Sequence, residues 1–171
     1  MKKLIALAAA TVGMATLAAA QTDAMNNMSI RAGIAFPTTG DLNGGTFFGA
    51  GLDFDFGKSW IGGKGTTYFS FDWLSKSTSG TRGNLFPMHI NQKFWLQEAT
   101  EEGGMPFYGF IGVGATVIDV APASTVLSGR LGLGAQVNEH FSIEGAIIFT
   151  GRTRSSNILG NHAGIYVGYK F

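Results

Sequence analysis

Ala163-Gly-Ile-Tyr-Val-Gly-Tyr-Lys-Phe171 is the stretch on which the fold turns. Successive side chains of an extended strand point to opposite faces. Ala163, Ile165, Val167, Tyr169 and Phe171 therefore share one face, and Gly164, Tyr166, Gly168 and Lys170 share the other. Alternation alone establishes a two-faced strand. An apolar strand face that ends on a Phe gains little in water, whereas a barrel wall facing lipid uses every one of these positions.

The same period recurs upstream in about eight segments of about ten residues or more, the length a tilted strand needs to cross a hydrocarbon layer. Segment 27–36 sets Met28, Ile30, Ala32, Ile34 and Phe36 against Ser29, Arg31 and Gly33. Segment 46–56 sets Phe48, Ala50, Leu52, Phe54 and Phe56 against Gly49, Gly51, Asp53 and Asp55. In 65–74, Thr67, Phe69, Phe71 and Trp73 oppose Tyr68, Ser70 and Asp72. In 84–96, Phe86, Met88 and Ile90 oppose His89 and Asn91; Gln92 then interrupts the apolar series, and a bulge near Asn91 or Gln92 is expected, which leaves the facing of Lys93 open. Segment 106–118 is apolar on both faces, and Ile111, Val113 and Val117 are assigned outward. In 125–137, Leu127, Leu131, Leu133 and Val137 oppose Ser128, Arg130, Gly132 and Gln136; in 140–150, Phe141, Ile143, Ile147 and Phe149 oppose Ser142, Glu144 and Thr150. The expected fold is all-β: a closed antiparallel up-and-down transmembrane β-barrel, since an even number of strands closes without an edge and closure is compulsory in lipid.

The amino terminus agrees. Met1-Lys2-Lys3, the Ala-rich apolar run Leu4 to Leu17, and Ala18-Ala19-Ala20 before Gln21 read as a cleaved secretory signal over 1–20, with the barrel domain over 21–171. Charged residues make up 13% and hydrophobic residues 45%, yet nothing after the leader approaches the run of about 20 apolar residues that a membrane helix needs. Gly, at 26 residues, is roughly twice its usual share. A net charge of +1 gives no reason to expect nucleic acid as a partner, and the lack of Cys excludes a lipoprotein attachment site and disulfides.

The inward charges are Arg31, Asp53, Asp55, Asp72, Arg130 and Glu144, with Lys93 and His89 added and His162 nearer the outer end. Burying any of them unpaired is costly, so a structural salt-bridged lumen is expected. With both termini periplasmic, 57–63, 97–105 and 137–140 are periplasmic turns, the second made acidic by Glu98, Glu101 and Glu102. The outer loops 37–45, 75–83, 119–125 and 151–160 are then all short, and Lys76, Arg82, Arg152 and Arg154 on them are candidates for pairing with lipopolysaccharide phosphates.

Other motifs fail as chemistry. Gly62-Gly-Lys-Gly-Thr66 lacks the Ser or Thr after Lys64 and the helix of a phosphate loop, and three His on different strands have no metal spacing, so neither a cofactor nor a metal is expected. His140-Phe-Ser142 with Glu144 has the residue types of an acyl-transfer site, with His140 in a turn.

The signal, the strand count, the tight Asn138-Glu139 turn and the last strand together resemble the small eight-stranded outer-membrane barrels that include OmpX- and OmpA-type barrels and opacity-like surface proteins. That resemblance implies cell outer-membrane localisation and a monomer embedded in lipid and lipopolysaccharide. It also implies periplasmic chaperones and barrel-assembly machinery as biogenesis partners, the machinery reading Ile165, Val167, Tyr169 and Phe171. Arg154-Ser-Ser156-Asn157 with Asn161 and Gly164 looks like the corresponding region of the lipid A deacylases, but Arg154 stands where their His would be, so no enzyme activity is expected. The expected role is structural or at the surface; the alternatives are a small pore, a lipid A-modifying enzyme and an adhesin. A soluble secreted barrel or sandwich is the rival fold.

Overall fold

A computed structural model describes residues 27–42, 45–76, 83–97, 105–120, 122–154 and 156–171. The leader expected at 1–20, Arg82, and Glu98, Glu101 and Glu102 lie outside the described residues. Eight strands follow one another: β1 Met28–Pro37, β2 Phe47–Asp55, β3 Gly65–Lys76, β4 Asn84–Gln97, β5 Phe107–Asp119, β6 Ser124–Gln136, β7 Phe141–Thr150 and β8 His162–Lys170. Each pairs antiparallel with the next, and β8 pairs with β1 to close the barrel. The all-β, up-and-down closed barrel is therefore the fold.

The two-residue period sorts the side chains onto two walls. On the outside, Leu127 is 83% and Val113 71% exposed, with Phe48, Ile111, Leu133, Ile165 and Val167 also more than half exposed. On the inside, Arg31, Asp72, Arg130 and Glu144 are buried together with Tyr68, Tyr108 and Tyr166. In β5 the outward set is Ile111, Val113 and Val117 as expected, because Tyr108, Phe110, Thr116 and Ile118 fill the interior.

One expectation is overturned in β4. The register runs without interruption through Asn91 and Gln92, and the irregularity falls later, between Trp95 and Gln97. Gln92 stays on the outer wall yet is only 6% exposed. Its Oε1 accepts from Thr67 Oγ1 at 2.7 Å and its Nε2 donates to the Lys93 carbonyl at 2.9 Å. The β2–β3 connection folds back here, with the Trp60 amide donating to Thr67 Oγ1 at 2.9 Å and the Thr67 amide to the Lys58 carbonyl at 2.9 Å. A satisfied, covered amide needs no bulge to remove it, and the unbroken register turns Lys93 inward.

The two barrel ends differ. At the terminal end, where β1 begins and β8 ends, Asn138 Oδ1 accepts the amides of His140 (2.9 Å) and Phe141 (2.7 Å), closing the β6–β7 turn. Aromatic rings cluster on this rim: Phe56 stacks on Trp60 at 4.9 Å, and Tyr169 meets His140, Phe141 and Phe171 at 5.5, 5.2 and 5.3 Å. At the loop end, a short 3-10 turn, Gly40–Leu42, tucks Leu42 among Ala35, Phe47, Leu74, Leu85 and Ile118, all nearly inaccessible. This apolar plug fills the loop end of the barrel.

Candidate functional site

The interior is the only region of the described chain where charged groups gather out of water, and Arg31 is its hub. Its Nε and Nη2 donate to Asp72 Oδ1 and Oδ2, both at 2.9 Å, and its Nη1 lies 2.6 and 2.7 Å from the two oxygens of Asp53. Glu144 Oε2 lies 3.8 Å from Arg31 Nη1 and 3.4 Å from Arg130 Nη2, and Glu144 Oε1 accepts from Tyr108 OH at 2.8 Å. Arg130 also lies over the Phe110 ring, 4.8 Å from its centroid. Bidentate Arg–carboxylate pairs of this kind are the strong ones.

The register explains which groups meet. Arg31 is opposite Gly51, and Gly51 is opposite Asp72. With no side chain on the intervening strand, Arg31 and Asp72 join over Gly51, where a Cβ would collide with Asp72 Oδ1. The arrangement repeats: Tyr108 is opposite Gly134, which is opposite Glu144, and Tyr108 reaches Glu144 across it. His89, Gly114 and Ser128 form a third such row, with His89 Nε2 2.9 Å from Ser128 Oγ and Thr116 Oγ1 bonded to the same hydroxyl at 2.9 Å. Glycines between long inward side chains are what a narrow lumen requires. Arg130 and Glu144 are not in one row, since Arg130 faces Ile148 and Glu144 faces Gly134. Their contact is accordingly the longer one.

The remaining sequence candidates separate. Asp55 sits at the terminal-end rim, where its Oδ1 accepts the Gly57 amide at 2.8 Å. His140 is exposed and its Nδ1 donates to the Lys170 carbonyl at 2.9 Å, whereas Glu144 lies buried against Tyr108, so the acyl-transfer set does not assemble. His162 is buried and its Nδ1 donates to the Gly160 carbonyl at 2.8 Å. Lys76 donates to the Leu42 carbonyl at 2.9 Å, and Arg152 lies 3.6 Å from Asp41 and donates to the Asn157 carbonyl at 2.9 Å. Arg154 is exposed. Ser156 Oγ is 2.7 Å from Thr153 Oγ1 in a turn where Asn157 adopts a φ of 56°. The His89–Ser128 pair escapes sequence reading because its residues lie 39 apart. Among the described residues no three His, Cys, Asp or Glu converge as a metal site.

No protein-family model and no curated protein sequence matches the chain. Solved structures do. The outer-membrane enzyme PagL superposes with a TM-score of 0.61 at 14% identity, covering 84% of this chain and 99% of PagL. Neisserial surface protein A gives 0.53 at 10% identity, covering 85% and 97%. Ail, the attachment invasion locus protein of Yersinia pestis, gives 0.51 at 14% identity, covering 84% and 97%. The fold is that of the small eight-stranded outer-membrane barrels. One of these neighbours is an outer-membrane enzyme, another a surface protein and a third an attachment invasion locus protein, so the shared fold leaves the activity to the side chains.

Proposed function

We propose that this chain is a non-enzymatic integral protein of the bacterial outer membrane, with a structural or surface role and a closed lumen. One observation carries the reading. The closed barrel has an apolar outer wall, encloses a paired charge network around Arg31, and is plugged at the loop end by Leu42, Phe47, Leu74, Leu85 and Ile118. Such a wall is unfavourable in water and suited to hydrocarbon. The Phe56–Trp60 and Tyr169–Phe171 clusters suit the headgroup level. In this reading residues 1–20 are the export signal, the terminal end faces the periplasm, and lipid and lipopolysaccharide surround a monomer. Barrel-assembly machinery and chaperones act only during biogenesis.

A pore is disfavoured by the plug and an adhesin by the short loops. An outer-leaflet lipid enzyme is disfavoured because loop 151–161 contains no His and Ser156 bonds to Thr153. The test is envelope fractionation followed by gels of boiled and unboiled detergent extract. The expected result is outer-membrane recovery with a heat-dependent mobility shift. Recovery in the soluble periplasmic fraction with no shift would overturn the reading.

A further inference from the structure

The charge network seals only part of the lumen. At the terminal end the interior opens into a vestibule of about 190 Å3, which Tyr68, Lys93, Trp95 and Tyr108 line on one side. The Lys93 ammonium lies 4.4 Å from the Tyr108 ring centroid, 5.3 Å from that of Tyr68 and 5.9 Å from that of Trp95. These aromatic faces are its described contacts. Cation–π attraction stabilises the charge, but an ammonium has three N–H donors that rings leave without an oxygen acceptor.

Of the carboxylates that line the vestibule, Asp53 is held by Arg31, Glu144 by Tyr108 and Arg130, and Asp55 by the Gly57 amide, while Glu139 stands exposed at the rim. The vestibule thus presents an ammonium without an oxygen acceptor among the described residues, beside aromatic walls. We infer that it is a binding site for a small organic carboxylate with an apolar flank, entered from the end where β1 begins and β8 ends. The carboxylate accepts from Lys93 Nζ, and the flank lies against Trp95 and Tyr108. A bound carboxylate gives the caged ammonium the acceptor that the chain itself withholds. This inference needs only the folded barrel and does not depend on the membrane in which it resides.

The test uses the full mature barrel folded in detergent, with Trp60→Phe and Trp73→Phe leaving Trp95 as the fluorescent reporter, and with the heat-dependent mobility shift as proof of folding. Benzoate is titrated against its neutral analogue benzyl alcohol and against inorganic phosphate. A charge-assisted hydrogen bond predicts saturable benzoate binding about tenfold or more tighter than benzyl alcohol. Phosphate, lacking the flank, is expected to bind more weakly than benzoate. Lys93→Met is expected to bring benzoate down to the level of the alcohol, and Lys93→Arg to restore part of the preference. Equal affinity for benzoate and benzyl alcohol in the folded barrel would overturn the inference without any variant. Phosphate binding tighter than benzoate would overturn the carboxylate assignment, and unaltered benzoate binding by a folded Lys93→Met barrel would remove Lys93 from the site. A barrel that shows no mobility shift is a failure of folding, visible before any ligand is added.

Discussion

Asp72→Asn probes the hub of the lumen directly. Asp72 receives two hydrogen bonds of 2.9 Å from Arg31, and both side chains are only 2% exposed. Two unit charges about 4 Å apart attract by about 4 kcal/mol at an effective dielectric of about 20. Removing one member of a buried pair costs about 3–5 kcal/mol, much of it from the charge left behind. Arg31 keeps Asp53, so the lower end, about 3 kcal/mol, is expected for Asp72→Asn. Arg31→Met strands Asp53 and Asp72 together and weakens the hold on Glu144, so its loss is expected at the upper end, about 5 kcal/mol. The double variant is expected to lose about 2 kcal/mol less than the sum, the signature of a coupled pair. Arg130 and Glu144, with one contact at 3.4 Å, are expected to couple more weakly, by about 1 kcal/mol. The assay is reversible urea unfolding from lipid vesicles followed by tryptophan fluorescence. An Arg31–Asp72 cycle that closes within about 0.5 kcal/mol would refute the pairing argument.

Gly51→Ala places a Cβ against Asp72 Oδ1 and 2.9 Å from Arg31 Nε, so a loss of about 1–3 kcal/mol is expected in the same assay. Gly145→Ala, which meets nothing within 4 Å, is the control expected to be near neutral. In planar bilayers the purified barrel is expected to show no steady large conductance, and stable ohmic channels of porin size would overturn the plugged lumen. Deleting Phe171 is expected to cut outer-membrane yield sharply in cells and to leave degradable periplasmic chain. Normal insertion of that chain, read by fractionation, would count against an assembly role for the last strand.

The sequence by itself determined the parity. A strand has only two faces, so alternation separates Ile165 and Val167 from Tyr166 and Gly168, and it places Arg31, Asp53, Asp72, Arg130 and Glu144 on the inner wall without reference to any other strand. Parity was ambiguous only where the pattern failed, in the doubly apolar β5 and at Gln92 in β4. At Gln92, a hydrogen bond to Thr67 and the cover of a folded-back turn did what the sequence reading assigned to a bulge. What parity cannot supply is depth. Which inward group meets which depends on the register of each strand pair, and that is a relation between two strands. Register puts Gly51 between Arg31 and Asp72, residues 41 apart in the chain, and Gly134 between Tyr108 and Glu144. It likewise gathers Leu42, Leu74, Leu85 and Ile118 into a plug at one end and leaves Lys93 among three aromatic rings at the other. Alternation is local, a matter of one strand's own geometry. The rows, the plug and the vestibule are relations between strands, and no single strand's alternation contains them.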